Sequence, residues 1–220
     1  MKKSKKSKYM LALAASVLTG SVVYAVPTTA ASMPFSDIKN DSSEGELYRA
    51  VSDLYSKGIV FGTTSTTFSP YENLTRGEAA YFLAEALQLD TKNLENPGFK
   101  DVPSTYTFYG HIAALAAKNI IQKSENYNPS DPITRSQMAK IITLGFDLEQ
   151  ASKILAPFTD FTNDTETNRY IQTLVNYSIT QGTSTTQFSP YTYVKRGQMS
   201  LFIYRALEKF DDDFYITGIE

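Results

Sequence analysis

The 220-residue sequence has no cysteine, no tryptophan and a single histidine. Without cysteine an exported chain has no disulfide framework and no thiol nucleophile, so its stability must come from an ordinary packed core. The single histidine, His111, has no second imidazole with which to build a metal site or a triad, so it reads as a surface or half-buried helix residue. No cofactor or metal is called for. Long apolar runs are missing as well: the stretch from Met10 to Tyr24 is about 15 residues and contains Thr19, Gly20 and Ser21, short of the ~20 residues of a membrane-crossing helix.

That stretch follows a lysine-rich start, Met1-Lys2-Lys3-Ser4-Lys5-Lys6, and ends at Val23-Tyr24-Ala25, with small residues at the first and last positions. These are the three parts of a secretory leader over residues 1–25, with cleavage expected after Ala25 and a short linker at 26–33. The leader holds five lysines and no acid, so its loss takes Lys+Arg from 21 to 16 against 23 acids, a net charge of −7. An acidic chain lacks the basic footprint needed for phosphate backbones, which excludes nucleic acid as a partner. No membrane association is expected once the leader is gone. At 42% hydrophobic and 13% aromatic residues, the chain has the material for a packed core rather than disorder.

An internal repeat decides the organisation. Phe61-Gly62-Thr63-Thr64-Ser65-Thr66-Thr67-Phe68-Ser69-Pro70-Tyr71 returns as Gln181-Gly182-Thr183-Ser184-Thr185-Thr186-Gln187-Phe188-Ser189-Pro190-Tyr191, with a diverged copy between them ending Tyr127-Asn128-Pro129. The same register aligns Arg76, Arg135 and Arg196, spaced 59 and 61 apart, and aligns Phe35-Ser36-Asp37, Phe99-Lys100-Asp101 and Phe158-Thr159-Asp160. The repeats run over 34–92, 93–155 and 156–210, followed by an acidic tail at 211–220.

Each unit reads as helix, loop, helix. In the first helix, Leu47, Val51, Leu54 and Tyr55 have helical spacing and Gly58 suits a left-handed stop. Phe108, Ile112, Leu115 and Asn119 match them in repeat two; Ile171, Leu174 and a weaker stop, Ser178, match them in repeat three. The second helix opens with a capping box, Thr75-Arg76-Gly77-Glu78, repeated as Thr134-Arg135-Ser136-Gln137. Repeat three has Lys195-Arg196-Gly197-Gln198, which keeps the arginine and loses the hydroxyl. The stripes behind these starts, such as Ala79, Phe82, Leu83 and Leu87, are core faces. A unit of about 55 residues buries too little surface to stand alone, so the three are expected to pack as one all-α domain.

Phe35-Ser36-Asp37, Gly58-Ile59-Val60-Phe61-Gly62, Phe68-Ser69-Pro70 and Thr75-Arg76-Gly77-Glu78 resemble the S-layer homology domain, in three copies over about residues 34 to 210. The resemblance implies a pseudo-threefold arrangement of helical prongs whose intervening grooves bind secondary cell-wall polysaccharide, often pyruvylated. It also implies a place at the bacterial cell wall or surface layer, with other surface-layer proteins as further partners. The chain departs from the pattern by lacking the usual first-helix tryptophan, for which Leu47, Phe108 and Tyr109 are the nearest substitutes, and by placing Gln122 where Gly62 and Gly182 stand.

An arginine in the first turn sits at the positive end of the helix dipole, and three of them ask for compensating anions. Two readings are open. In one, free N–H groups of the helix start and the adjacent guanidinium of Arg76, Arg135 or Arg196 clamp a sugar carboxylate, with Thr75 and Thr134 beside them. In the other, the arginines pair with Asp37, Asp101 and Asp160 and tie the repeats together. The hydroxyl-rich loops at Gly62 and Gly182 are candidate sugar contacts or plain turns. Glu44 and Glu46 could form a glycosidase pair, but they do not recur and are better read as acids favoured near a helix start. The Asp211-Asp212-Asp213 run reads as a solvated terminus. The resulting expectation is a non-catalytic wall-anchoring module, with a surface-lattice role through protein contacts as the alternative.

Overall fold

The computed structural model describes residues 33–211. The leader at 1–25, residues 26–32 of the linker and residues 212–220 of the tail lie outside the described residues. Six helices form: α1 (Gly45–Ser56), α2 (Arg76–Ala86), α3 (Tyr109–Ala117), α4 (Arg135–Gly145), α5 (Thr165–Asn176) and α6 (Arg196–Asp211). Among the described residues only isolated β-bridges accompany them, so the all-α expectation holds.

The helix boundaries follow local chemistry. Thr75 accepts from the Glu78 amide while Glu78 accepts from the Thr75 amide, and Thr134 and Gln137 do the same, so both capping boxes form. The first helices end at Gly58, Asn119 and Ser178, with φ of 72°, 58° and 57°. Behind each, the next amide reaches back five residues, Ile59 to Leu54, Ile120 to Leu115 and Ile179 to Leu174, at 2.8, 3.0 and 2.9 Å. This bond closes a Schellman end and satisfies a carbonyl the helix leaves open.

The helices of one sequence repeat are not each other's main partners. The principal pairs are α2 with α3, α4 with α5, and α6 with α1, so the second helix of each repeat packs on the first helix of the next and the last returns to the first. Small residues permit this. A Cβ on Gly77 would collide with Tyr106 before α3, and one on Gly197 would press on Leu47 of α1 and on Pro70. Leu47 and Phe108 thus stand where the two interlocking faces meet. The second helices are central: α2 buries Ala79, Ala80, Phe82, Leu83, Ala84 and Ala86 around most of its circumference, whereas α1 buries only Ala50, Val51 and Leu54.

Candidate functional site

Helices α2, α4 and α6 begin around one pseudo-threefold axis. The residues two before each arginine form a closed ring of backbone bonds there: Leu74 N–H to Val194 O at 2.9 Å, Val194 N–H to Ile133 O at 2.9 Å, and Ile133 N–H to Leu74 O at 3.0 Å. All three side chains are buried. Three antiparallel bridges surround the ring, Asn73 with Lys195, Thr75 with Pro132, and Thr134 with Tyr193.

The arginines extend the same cycle outwards. Arg76 donates from Nε to Tyr127 O at 2.8 Å, Arg135 to Phe188 O at 2.8 Å, and Arg196 to Phe68 O at 2.9 Å. Each guanidinium therefore reaches the loop of the next repeat and lies over its aromatic ring, 4.6, 4.7 and 5.0 Å from the centroids. The aspartates serve those same loops from within their own repeat. Asp37 accepts from the Phe68 and Ser69 amides at 2.9 and 2.7 Å, Asp101 from Tyr127 and Asn128 at 2.7 and 2.6 Å, and Asp160 from Phe188 and Ser189 at 2.9 and 2.7 Å. The direct arginine–aspartate pairs considered from sequence do not form, because each pair is separated by the peptide both of them hold.

The expectation of free N–H groups at these helix starts also fails. Arg76 and Gly77 donate their amides to Asp131 O and Pro129 O, both at 2.8 Å, and the matching amides of α4 and α6 bond Thr192 and Pro190, and Glu72 and Pro70. In α2 and α4 the third amide is taken by the capping threonine. The neighbouring repeat has filled the anion site that an isolated helix start would offer.

The three guanidiniums differ in exposure. Arg196 is 1% exposed and donates from Nη1 to Glu78 at 2.6 Å and from Nη2 to Phe61 O at 2.5 Å. Arg135 is 3% exposed, with Nη2 buried and without a partner. Burial pushes its pKa down to about 10, opposed by the charge of Asp160. Burial also lowers that of Arg196, opposed by Glu78, Glu72 and Asp37. Arg76 is only half-buried. Its Nη atoms have no partner among the described residues, and it opens onto a groove of about 470 Å³. Asn126, Tyr127 and Asn128 form one side of that groove, Thr134 and Gln137 at the start of α4 another, and Tyr193 of repeat three the third.

Thr75, Gly62 and Gly182 lie outside this groove. A Cβ on Gly62 would collide with Phe35 and with the Thr64 and Thr67 carbonyls; one on Gly182, at φ 89°, would meet Phe158 and Gln187 O. Both glycines let the loop close over the first aromatic ring of its repeat. The loop hydroxyls bond one another, Thr63 to Ser69 and Thr183 to Ser189, each at 2.7 Å. His111 meets Glu85 at 3.0 Å between α3 and α2, and the described residues contain no cluster suited to a metal. Glu44 takes the Tyr71 hydroxyl and Glu46 a two-pronged contact from Arg205, so neither is poised as half of a glycosidase pair. Sequence reading missed Tyr193; its signal was the replacement by an aromatic of the position held by Asn73 and Pro132 in the other repeats.

The S-layer homology domain pattern matches residues 34–80, 98–139 and 157–200, and each match spans one aspartate, its aromatic loop and the following arginine. The chain belongs to the S-layer homology family. Similar proteins include the surface-layer 125 kDa protein of Lysinibacillus sphaericus, 27% identical over 100% of this chain and 18% of that protein. S-layer protein EA1 of Bacillus anthracis is 24% identical over 94% of this chain and 24% of its own length. An endoglucanase of a Bacillus species is 26% identical over 85% and 20%. The chain thus spans about a fifth of the length of these relatives. As an S-layer homology protein it belongs to the cell surface or surface layer. No helix among the described residues is long and apolar enough to cross a membrane.

Proposed function

We propose that this S-layer homology chain is a non-catalytic module that attaches to an anionic polysaccharide of the bacterial cell wall through a groove between its repeats. The observation that carries the reading is the open groove at Arg76. A half-buried guanidinium with both terminal nitrogens unpartnered faces amide side chains that suit sugar hydroxyls. A guanidinium offers a planar fork matched to a carboxylate, and a uronic acid or pyruvate ketal supplies one. The similarity itself supports a role apart from catalysis, since the same stretch recurs in proteins named as surface-layer proteins and in one named as an endoglucanase.

The test is co-sedimentation of the chain with purified walls before and after acid extraction of the non-peptidoglycan polysaccharide. Binding that is lost on extraction is expected. Equal binding to stripped walls would sink glycan attachment and favour association with other surface-layer proteins.

A further inference from the structure

The three grooves around the axis are built from equivalent positions and yet are not equivalent. Each is made by one arginine, the next repeat's aromatic loop and capping residues, and the residue three before the arginine of the repeat after that. In the groove of Arg196, the Glu78 carboxylate meets Nη1 at 2.6 Å and the Phe61 carbonyl meets Nη2, so an internal acid stands where a ligand carboxylate would. The groove of Arg135 is crossed by Lys195, whose Nζ donates to Asn73 Oδ1 at 2.7 Å, while the guanidinium lies sealed between Phe188 and Phe202. The place of Glu78 is taken by a neutral residue in both other grooves, Gln198 beside Arg135 and Gln137 beside Arg76, but only in the groove of Arg76 is the guanidinium half-exposed and the place of Asn73 taken by an aromatic residue, Tyr193.

The surroundings complete the contrast. The Gln137 Oε1 accepts from the Thr134 amide, which leaves its NH2 group for the groove. Tyr193 is 50% exposed, presenting a flat apolar face beside the cation. Asp131 also lines the groove without pairing with Arg76, and supplies an acceptor for sugar hydroxyls.

Resting on the glycan-binding reading above, we propose that the chain has one ligand site rather than three. It takes one anionic sugar residue, with its carboxylate on Arg76 and its ring against Tyr193. The other two arginines close the fold. Tyr193 therefore sets specificity from a repeat that contributes no cation to the site.

The experiment titrates residues 26–220 by calorimetry with a methyl glycoside of a 4,6-pyruvate-ketal N-acetylhexosamine, using the 4,6-isopropylidene analogue as the uncharged control. Saturation at one equivalent is expected, with no binding of the control. Arg76→Lys and Tyr193→Ala should each weaken binding about tenfold or more, with the fold retained and only a small shift in the melting curve. Tyr191→Ala, which removes a more exposed tyrosine outside the groove, should leave affinity unchanged. Saturation at two or three equivalents overturns the single-site proposal and leaves wall attachment standing. If walls are bound but the probe is not, the Arg76→Lys/Tyr193→Ala double variant decides by co-sedimentation: loss supports the site and retention with an intact fold overturns it. Failure of the unmodified chain to bind polysaccharide-bearing walls would overturn the proposed function itself.

Discussion

Asp37 and Arg196 grip the same peptide from opposite sides. The Ser69 N–H donates to Asp37 Oδ2 at 2.7 Å, and the carbonyl of that peptide, Phe68 O, accepts from Arg196 Nε at 2.9 Å. Opposite charges at the two ends of one amide polarise it in the same sense, which strengthens both bonds. Asp101 with Arg76, and Asp160 with Arg135, repeat the arrangement. Because the aspartate comes from the loop's own repeat and the arginine from the preceding repeat in the cycle, each grip is also a joint between repeats. The joint at Phe68 closes the ring by joining residues 128 apart.

Arg196 should therefore matter most for stability. Arg196→Ala leaves Glu78 and two carbonyls without their donor in a buried place, a loss of about 3–5 kcal/mol. Arg196→Lys should fall between that and the native chain, since one ammonium cannot reach all three acceptors. Arg76→Lys should cost least, because that guanidinium makes one bond and is half-buried. Urea unfolding of the three variants checks the order, and a stability loss at Arg76→Lys as large as at Arg196→Ala would contradict it.

The caps give a second comparison. Thr75→Ala removes the acceptor of the Glu78 amide and should cost ~1 kcal/mol. Lys195→Ala should cost less, because α6 has no hydroxyl cap to lose and Lys195 contributes a partly exposed bond to Asn73. Thermal unfolding that found Lys195→Ala the costlier change would show the cap to be the minor contribution.

Left-handed helix ends give changes of opposite sign at matching positions. Ser178 holds φ 57° with a side chain, where repeat one has Gly58 at φ 72°. Ser178→Gly should stabilise the chain by up to roughly 1 kcal/mol and Gly58→Ala should destabilise it by about as much. Melting temperatures measured side by side test both signs.

The pH dependence should report the closure of α1 on α6. The hydrogen bonds from Arg205 hold the Glu46 carboxyl below its ordinary pKa, against the opposing effect of burial. A lowered folded-state pKa means that this contribution is complete above the unfolded-state pKa and is lost as pH falls through the folded-state one. Glu46→Gln should therefore be less stable than the native chain at neutral pH, with the difference shrinking in acid. A difference that stayed constant from neutral to acid pH would show that the pair is not linked to folding.

Much of the fold was legible in the sequence because its signals are local. A capping threonine and its partner are three residues apart, a helix stop is read from one residue, and apolar stripes repeat within one or two turns. The repeated Phe-x-Asp and Phe-x-Pro landmarks were legible as well, though not what they do. Asp37 reaches Ser69 across 32 residues and Arg76 reaches Tyr127 across 51, and no spacing rule announces such pairs. The assignment of equal roles to Arg76, Arg135 and Arg196 followed from their equal register, and the structure separates them by what surrounds each one.

By itself the sequence determined an all-helical chain of three similar units, where their helices start and stop, the family they belong to, and the positions that recur. Tertiary structure alone decided that each second helix would pair with the next repeat's first helix, that the helix-start amides would be occupied, and that Arg76 would stay half-exposed while Arg135 and Arg196 were buried. The physical reason is that three marginal units complete their hydrogen bonds and bury their apolar faces only against one another. Similar motifs then acquire different surroundings: Arg196 meets Glu78, Arg135 lies buried against Phe188 and Phe202, and Arg76 stays half-exposed.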